Sequence, residues 1–178
     1  MNTRKCVFFD RDGIVNEAPD PERYVLSWKN FHLIPEFVDS LRTATQNGYQ
    51  AVIVSNQRAV ARGLLPADRL DEMHRRLKRL LSRDYHLELL DITYCPHNPG
   101  ECSCRKPQPG MLLAMAEKHN LDLPSSWMVG DSETDIEAGC LAGCHTILVG
   151  TASPDSKAEA KVPSMSGLPR LLDVLLSS

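Results

Sequence analysis

Two rhythms alternate along the chain: short unbroken apolar runs, and longer stretches in which apolar positions recur every three to four residues. Lys5 to Phe9 is the first run; it stops at Asp10 and reads as a buried parallel strand. Residues 11 to 34 are irregular and rich in proline, acidic and aromatic residues, which predicts a loop over one end of a sheet. A helix is expected from about Pro35, with Phe37, Val38, Leu41 and Ala44 on one face and Asn47-Gly48 as its stop. Ala51 to Val54 makes a second strand ending at Ser55-Asn56. Pro66 opens a long helix through about Arg83, its apolar stripe formed by Leu70, Met73, Leu77, Leu80 and Leu81 and its arginines on the opposite, solvated face. Leu89 to Tyr94 reads as a third strand, Met111 to His119 as a helix, and Trp127 to Val129 as a fourth strand. Thr134 to Leu141 is a helix ended by Gly143, Thr146 to Val149 a fifth strand, and Leu168 to Leu176 a terminal helix. Residues 150 to 166 are polar and without period.

Strands alternating with helices predict an α/β, Rossmann-like three-layer sandwich around a parallel five-stranded sheet with right-handed crossovers. With no repeat, linker or change of composition, residues 1–178 are expected to form one domain. In such sheets ligands bind beyond the carboxyl ends of the strands. Asp10, Ser55, the cysteine-rich loop after Tyr94 and Asp131 all follow strands at that end, so one site can collect them.

Hydrophobic content of 42% with 24% charged residues is ordinary for a soluble protein. The net charge of −3 argues against a nucleic-acid partner held by phosphate neutralisation. No apolar run approaches the roughly 20 residues that span a bilayer, so no membrane partner is expected. The apolar stretch before Asp10 is too short for a signal-peptide core, and a cytoplasmic monomer is expected. Of six cysteines, Cys95, Cys102 and Cys104 cluster beside His97, which in a chain without an export signal reads as metal ligation rather than disulfides. Cys6, Cys140 and Cys144 read as packing residues.

Asp10-Arg11-Asp12-Gly13 follows the first strand directly. An EF-hand calcium loop needs glycine sixth and glutamate twelfth; here glycine is fourth and Pro21 twelfth, so that reading fails. Alone, the two carboxylates leave a capping turn and a catalytic pair equally open. Their companions are Val52-Ile53-Val54-Ser55-Asn56, Arg105-Lys106-Pro107, and Met128-Val129-Gly130-Asp131-Ser132-Glu133-Thr134-Asp135. Together, in this order and at strand ends, these elements resemble the haloacid dehalogenase superfamily over residues 5 to about 150.

That resemblance implies Mg²⁺-dependent hydrolysis of a phosphate monoester. Asp10 is expected as the nucleophile that forms an aspartyl-phosphate, and Asp12 as the general acid and base. Ser55 and Lys106 are expected to stabilise the transferring phosphoryl group. Mg²⁺ is expected on Asp10, Asp131 and the main-chain carbonyl of Asp12. Asp135 is left between bracing this loop and favouring the N-terminus of the next helix. No large insertion follows Asp12 or Ser55, so the cap is minimal and the site open.

Cys95-Pro96-His97 and Cys102-Ser103-Cys104 enclose four residues. Three thiolates and one imidazole at this spacing suit tetrahedral Zn²⁺ with no open position, hence a structural ion that aims Arg105 and Lys106. A similar Cys-x-His…Cys-x-Cys loop occurs in histidinol phosphatases and in D-glycero-D-manno-heptose 1,7-bisphosphate phosphatases. The chain is closer to the latter through Asp10 to Asn16, Ser55-Asn56-Gln57…Ala61-Arg62-Gly63 and Cys104-Arg105-Lys106-Pro107…Pro109-Gly110-Met111. The resemblance implies a small phosphorylated sugar as substrate, with Arg11, Asn56, Gln57, Arg58, Arg105 and Tyr24 as candidate binding residues and the stretch from Asn16 to Tyr24 lining the sugar site. It departs from that family where Thr-Asn-Gln-Ser-Gly becomes Ser55-Asn56-Gln57-Arg58-Ala59, and where Ser132 replaces a lysine of some members. The segment before Tyr24 is also longer and lacks a glycine. Two alternatives remain: a histidinol-phosphate phosphatase, and a catalytically inactive zinc-loop module that binds nucleic acid or protein.

Overall fold

The computed structural model describes residues 3–19 and 24–177. Its strands are β1 (Cys6–Phe9), β2 (Gln50–Asn56), β3 (Asp91–Cys95), β4 (Trp127–Gly130), β5 (His145–Val149) and β6 (Ala160–Val162). Its helices are α1 (Pro35–Gln46), α2 (Arg58–Ala61), α3 (Ala67–Tyr85), α4 (Gly110–His119), α5 (Glu133–Ala142) and α6 (Leu168–Leu176). The strands form one parallel sheet in the order β3-β2-β1-β4-β5-β6. The order reverses direction at β1, so chain segments leaving β1 diverge from those leaving β4 and a crevice opens at their carboxyl ends.

The α/β sandwich is as expected, but the sheet has six strands, not five. The sixth lies in the segment read as aperiodic. Ala160–Val162 is only three residues long, pairs with Ile147–Val149, and buries only Val162 while Lys161 stays exposed. A short, lysine-bearing edge strand carries too few apolar positions to register as a period, and the same features protect the edge from pairing with other chains. Helix α2, a single turn, was likewise not expected.

The pleat sorts side chains onto two cores. Val7, Phe9, Ile53, Val129 and Ile147 pack beneath α1, α3 and α6 with Phe37, Leu41, Leu77, Leu81 and Leu172. Cys6, Phe8, Val52, Val54 and Met128 face α4 and α5 with Met111, Leu112, Met115 and Ala138. Central strands buried on both faces explain why their sequence shows continuous apolar runs. On α3 the buried positions are Leu70, Met73, His74, Leu77 and Leu81; Leu80 is half-buried, and a histidine takes the inward position. Among the described residues, no helix is long and apolar enough to cross a membrane.

Candidate active site

Asp10 immediately follows β1, and its backbone N–H is held by the carbonyl of Val129 on β4 at 2.9 Å. The acid therefore sits where the two central strands end. Lys106 comes from the loop after β3 and is almost wholly buried. Its ammonium lies 2.6 Å from Asp10 Oδ1 and 2.6 Å from Asp135 Oδ1, and donates to the carbonyl of Val54 at 3.0 Å. All three N–H groups are thus engaged. Burial alone would lower the Lys106 pKa, but the charges of Asp10 and Asp135 outweigh it and raise it, so the group stays an ammonium. Asp10 is pushed upward by burial and then by Asp135, with Lys106 opposing.

Asp131 follows β4, and its side chain lies across the backbone of Gly13. A Cβ at Gly13 would stand 1.9 Å from Asp131 Oδ2, and this glycine also has φ +95°. No other residue type fits that position. Carboxylate oxygens of Asp10, Asp131 and Asp135 all lie within 4.8 Å of one another. Desolvation, then the charge of Asp135, raise the Asp131 pKa to about 6. Crowded, mutually repelling carboxylates are the oxygen donor set that a hard divalent cation neutralises. Asp135 does not compete as a free ligand. Its Oδ1 holds Lys106, while its Oδ2 accepts from the Ser132 N–H at 3.2 Å and from Ser132 Oγ at 2.6 Å. Asp135 thus ties down the loop after β4 through Ser132, holds Lys106, and closes a capping box at the start of α5.

Asp12 points away from this cluster into a polar network. Arg11 donates to it from Nε (3.1 Å) and Nη2 (3.0 and 3.1 Å), Asn16 Nδ2 at 2.9 Å and Gln57 Nε2 at 3.1 Å. Gln57 Nε2 also donates to Ser55 Oγ at 2.7 Å, so the hydroxyl of β2 and the second acid share one amide. Asn56 clamps the lysine loop: its Nδ2 donates to the Lys106 carbonyl and its Oδ1 accepts the Lys106 N–H, each at 3.0 Å.

The six candidate substrate contacts divide accordingly. Arg11, Asn56 and Gln57 spend their polar atoms on the protein, and Arg11 is only 1% exposed. Arg58 is exposed, and Arg105 and Tyr24 are half-buried. Arg58 Nε donates to Asn98 Oδ1 at 3.1 Å, Arg105 Nη1 to the His97 carbonyl at 3.2 Å, and Arg62 Nη1 to the Tyr24 hydroxyl at 3.3 Å. The stretch from Asn16 to Tyr24 falls partly outside the described residues, at 20–23.

Beside the site, Cys95 at the end of β3 converges with His97, Cys102 and Cys104. Sγ of Cys95 lies 3.5 Å from His97 Nδ1 and 3.5 Å from Cys102 Sγ; Cys104 Sγ lies 3.4 Å from His97 Nδ1 and 3.2 Å from Cys102 Sγ. A tetrahedral zinc would space such donors about 3.5–3.8 Å apart, given its usual bond lengths, and the separations of 3.2–3.5 Å lie at or just below that range. The donor set fits that ion. Its loop is held by Glu101, which accepts from the Asn98 N–H at 2.8 Å and side-chain amide at 3.0 Å. Helix α4 approaches so closely that a Cβ at Gly110 would meet the Ser103 carbonyl at 2.3 Å.

Sequence reasoning missed His74 and the supporting part of Arg11. The signal for His74 was present: Leu70, His74, Leu77 and Leu81 follow i, i+4, i+7, i+11 spacing, which places the histidine on the buried stripe.

A profile of HAD-hydrolase-like proteins matches residues 103–170. The chain is similar to D-glycero-beta-D-manno-heptose-1,7-bisphosphate 7-phosphatase of Pseudomonas putida, at 38% identity over 160 residues, spanning 89% of this chain and 90% of that protein. It is similar to the enzyme of the same name from Escherichia coli strain K12 at 32% identity, spanning 94% and 93%. Among solved structures, D,D-heptose 1.7-bisphosphate phosphatase from B. bronchiseptica, complexed with magnesium and phosphate, superimposes with a TM-score of 0.82 at 30% identity, covering 94% of this chain and 97% of that one.

Proposed function

This chain belongs to the D-glycero-β-D-manno-heptose-1,7-bisphosphate 7-phosphatase family of haloacid dehalogenase-like hydrolases, and from that membership we propose that it removes the 7-phosphate of the β-anomer of this sugar bisphosphate in a magnesium-dependent reaction. The observation that carries the reading is the convergence of Asp10, Lys106, Asp131 and Asp135 at the carboxyl ends of β1 and β4.

Asp10 and Asp131, with the main-chain carbonyl of Asp12, would hold Mg²⁺, while Asp135 supports from outside. When bound, the ion would supply the positive charge that offsets repulsion between the attacking carboxylate and the anionic ester. Asp10 attacks phosphorus through one carboxylate oxygen, forming an acyl phosphate as the ester bond to the sugar breaks. Asp12 gives its proton to the departing sugar oxygen, then takes one from the water that hydrolyses the acyl phosphate. Ser55 donates a hydrogen bond to the phosphoryl group, and Lys106, already poised beside Asp10, balances the charge that builds on it. Asn56 keeps that lysine in place.

Cys95, His97, Cys102 and Cys104 would hold a structural Zn²⁺; the mutual spacing of their donors supports this. Such an ion fixes a loop of no regular structure from which Arg105 and Lys106 emerge. With Arg105, Arg58 and Tyr24 as the candidate sugar contacts, specificity rests on short loops rather than on a cap. The names of the relatives favour the heptose substrate over histidinol phosphate, and the complete acid set disfavours an inactive zinc module. A comparison of kcat/KM on the heptose bisphosphate and on histidinol phosphate tests the reading. Preference for histidinol phosphate would overturn it.

A further inference from the structure

Arg11 is the largest side chain in the fully buried set, and its charge has to be compensated where it lies. It contributes nothing to the mouth of the site. Its Nε and Nη2 grip both oxygens of Asp12, its guanidinium carbon lies 5.9 Å from the centroid of Phe31, and Nη1 lies 3.4 Å from Nε2 of His74. Guanidinium has donors only, so His74 Nε2 must be the acceptor and the ring proton must sit on Nδ1. His74 is itself 6% exposed, on the inward face of α3, with its ring 5.6 Å from that of Tyr94 on β3. A rigid helix and a sheet strand thus fix the imidazole, the imidazole fixes the one guanidinium nitrogen that Asp12 does not use, and the other two fix the acid.

We propose that His74 and Arg11 are positioning residues for Asp12: a neutral imidazole on α3 anchors the buried guanidinium that orients the general acid and base. This rests on the phosphatase reading above and adds two residues to its machinery. Burial, then the neighbouring Arg11 charge, hold His74 down at about 3, so it stays a neutral acceptor at ordinary pH instead of a second cation facing the first. Asp12 keeps some access to solvent, at 27% exposure, as a group that must exchange protons with sugar oxygen and water requires. Asn16 and Gln57 complete its cradle; among the described residues the one buried side-chain polar atom without a partner is Asn16 Oδ1, in this same network. An orphaned buried acceptor is destabilising and is tolerated where geometry serves something other than stability.

The test separates positioning from mere packing by leaving group. A sugar oxygen needs the proton of Asp12 as it leaves, whereas 4-nitrophenolate departs without it. In His74→Leu, kcat/KM for the heptose bisphosphate should fall about tenfold or more, on the scale of a slightly misplaced catalytic group. For 4-nitrophenyl phosphate it should change no more than about twofold, because the phosphoryl site itself is untouched. His74→Gln, whose amide oxygen can accept from Arg11, should restore most of the loss. Equal losses on both esters, no loss on either, or failure of glutamine to recover more activity than leucine would each overturn the proposal. If leucine does not fold, the glutamine variant compared with His74→Asn, which is one methylene too short to reach, reads the same ratio. Absence of wild-type turnover on both esters would instead overturn the phosphatase reading itself.

Discussion

The chain gathers two clusters of side chains that could hold a metal ion, and it builds them by opposite means. The carboxylate cluster stands on regular structure: Asp10 directly follows β1 and is bonded to Val129 of β4, Asp131 directly follows β4, and Asp135 lies in the first turn of α5. In the thiolate cluster only Cys95 belongs to a strand; His97, Cys102 and Cys104 lie in a loop closed by the Asn98–Glu101 contacts. A hard cation that is exchanged or hydrated during catalysis needs a frame that survives its departure. A soft ion with four protein ligands can be the frame. The first cluster should therefore fail by chemistry at single atoms, and the second by local loss of order.

The largest effect is expected at Asp10. Asp10→Asn cannot form the acyl phosphate and should lower kcat more than about a hundredfold, a loss above roughly 2.7 kcal/mol, with the circular dichroism spectrum unchanged. More than a hundredth of wild-type kcat would contradict the nucleophile assignment. Next is Gly13→Ala. The added methyl must displace the Asp131 carboxylate, so the Mg²⁺ concentration for half-maximal rate should rise about tenfold or more, the order of effect seen when a support of a ligand is removed. An unchanged Mg²⁺ dependence would detach Asp131 from the metal.

Removing the two metals sharpens the contrast. Magnesium withdrawal should stop turnover reversibly and leave hydrogen exchange unchanged. Zinc withdrawal should speed exchange selectively across residues 95–106 and lower activity several-fold through Arg105 and Lys106, because ligation at such sites is coupled to local folding. Metal analysis should find about one zinc per chain; full activity with little zinc would remove the ion from the account. The smallest effect belongs to Arg58, which reaches from α2 to Asn98 of the zinc loop. A guanidinium there can hold a distal phosphate through paired hydrogen bonds. Arg58→Ala should raise KM several-fold for a sugar bisphosphate but not for the matching monophosphate, with kcat little changed. Equal KM values for mutant and wild type on both substrates would leave Arg58 as a surface residue.

The two clusters also differ in how they could be read from sequence. The convergence of Cys95, His97, Cys102 and Cys104 was legible from spacing alone, since four ligand-type residues fall within ten positions. Asp10 and Asp131 were legible because each terminates an apolar run, and the α/β order followed from the runs themselves. What links them was not. The Lys106–Asp135 contact spans 29 residues, and the burial of Arg11 depends on Phe31 and His74, which no local pattern connects to it. Asn56 and Gln57 were expected to face substrate, whereas their amides bond Lys106, Asp12 and Ser55, because a sequence gives a residue's neighbourhood without the direction of its side chain. Strand β6 escaped because pairing with β5, rather than its own apolar content, makes it a strand.

The most direct measurement follows the two phosphorus atoms of D-glycero-β-D-manno-heptose 1,7-bisphosphate by ³¹P NMR, with wild-type protein and Mg²⁺. The account expects the 7-phosphate resonance to convert to inorganic phosphate while the anomeric phosphate persists, and no conversion with Asp10→Asn under the same conditions. Loss of the anomeric phosphate first, or equal conversion by the Asp10→Asn protein, would contradict it.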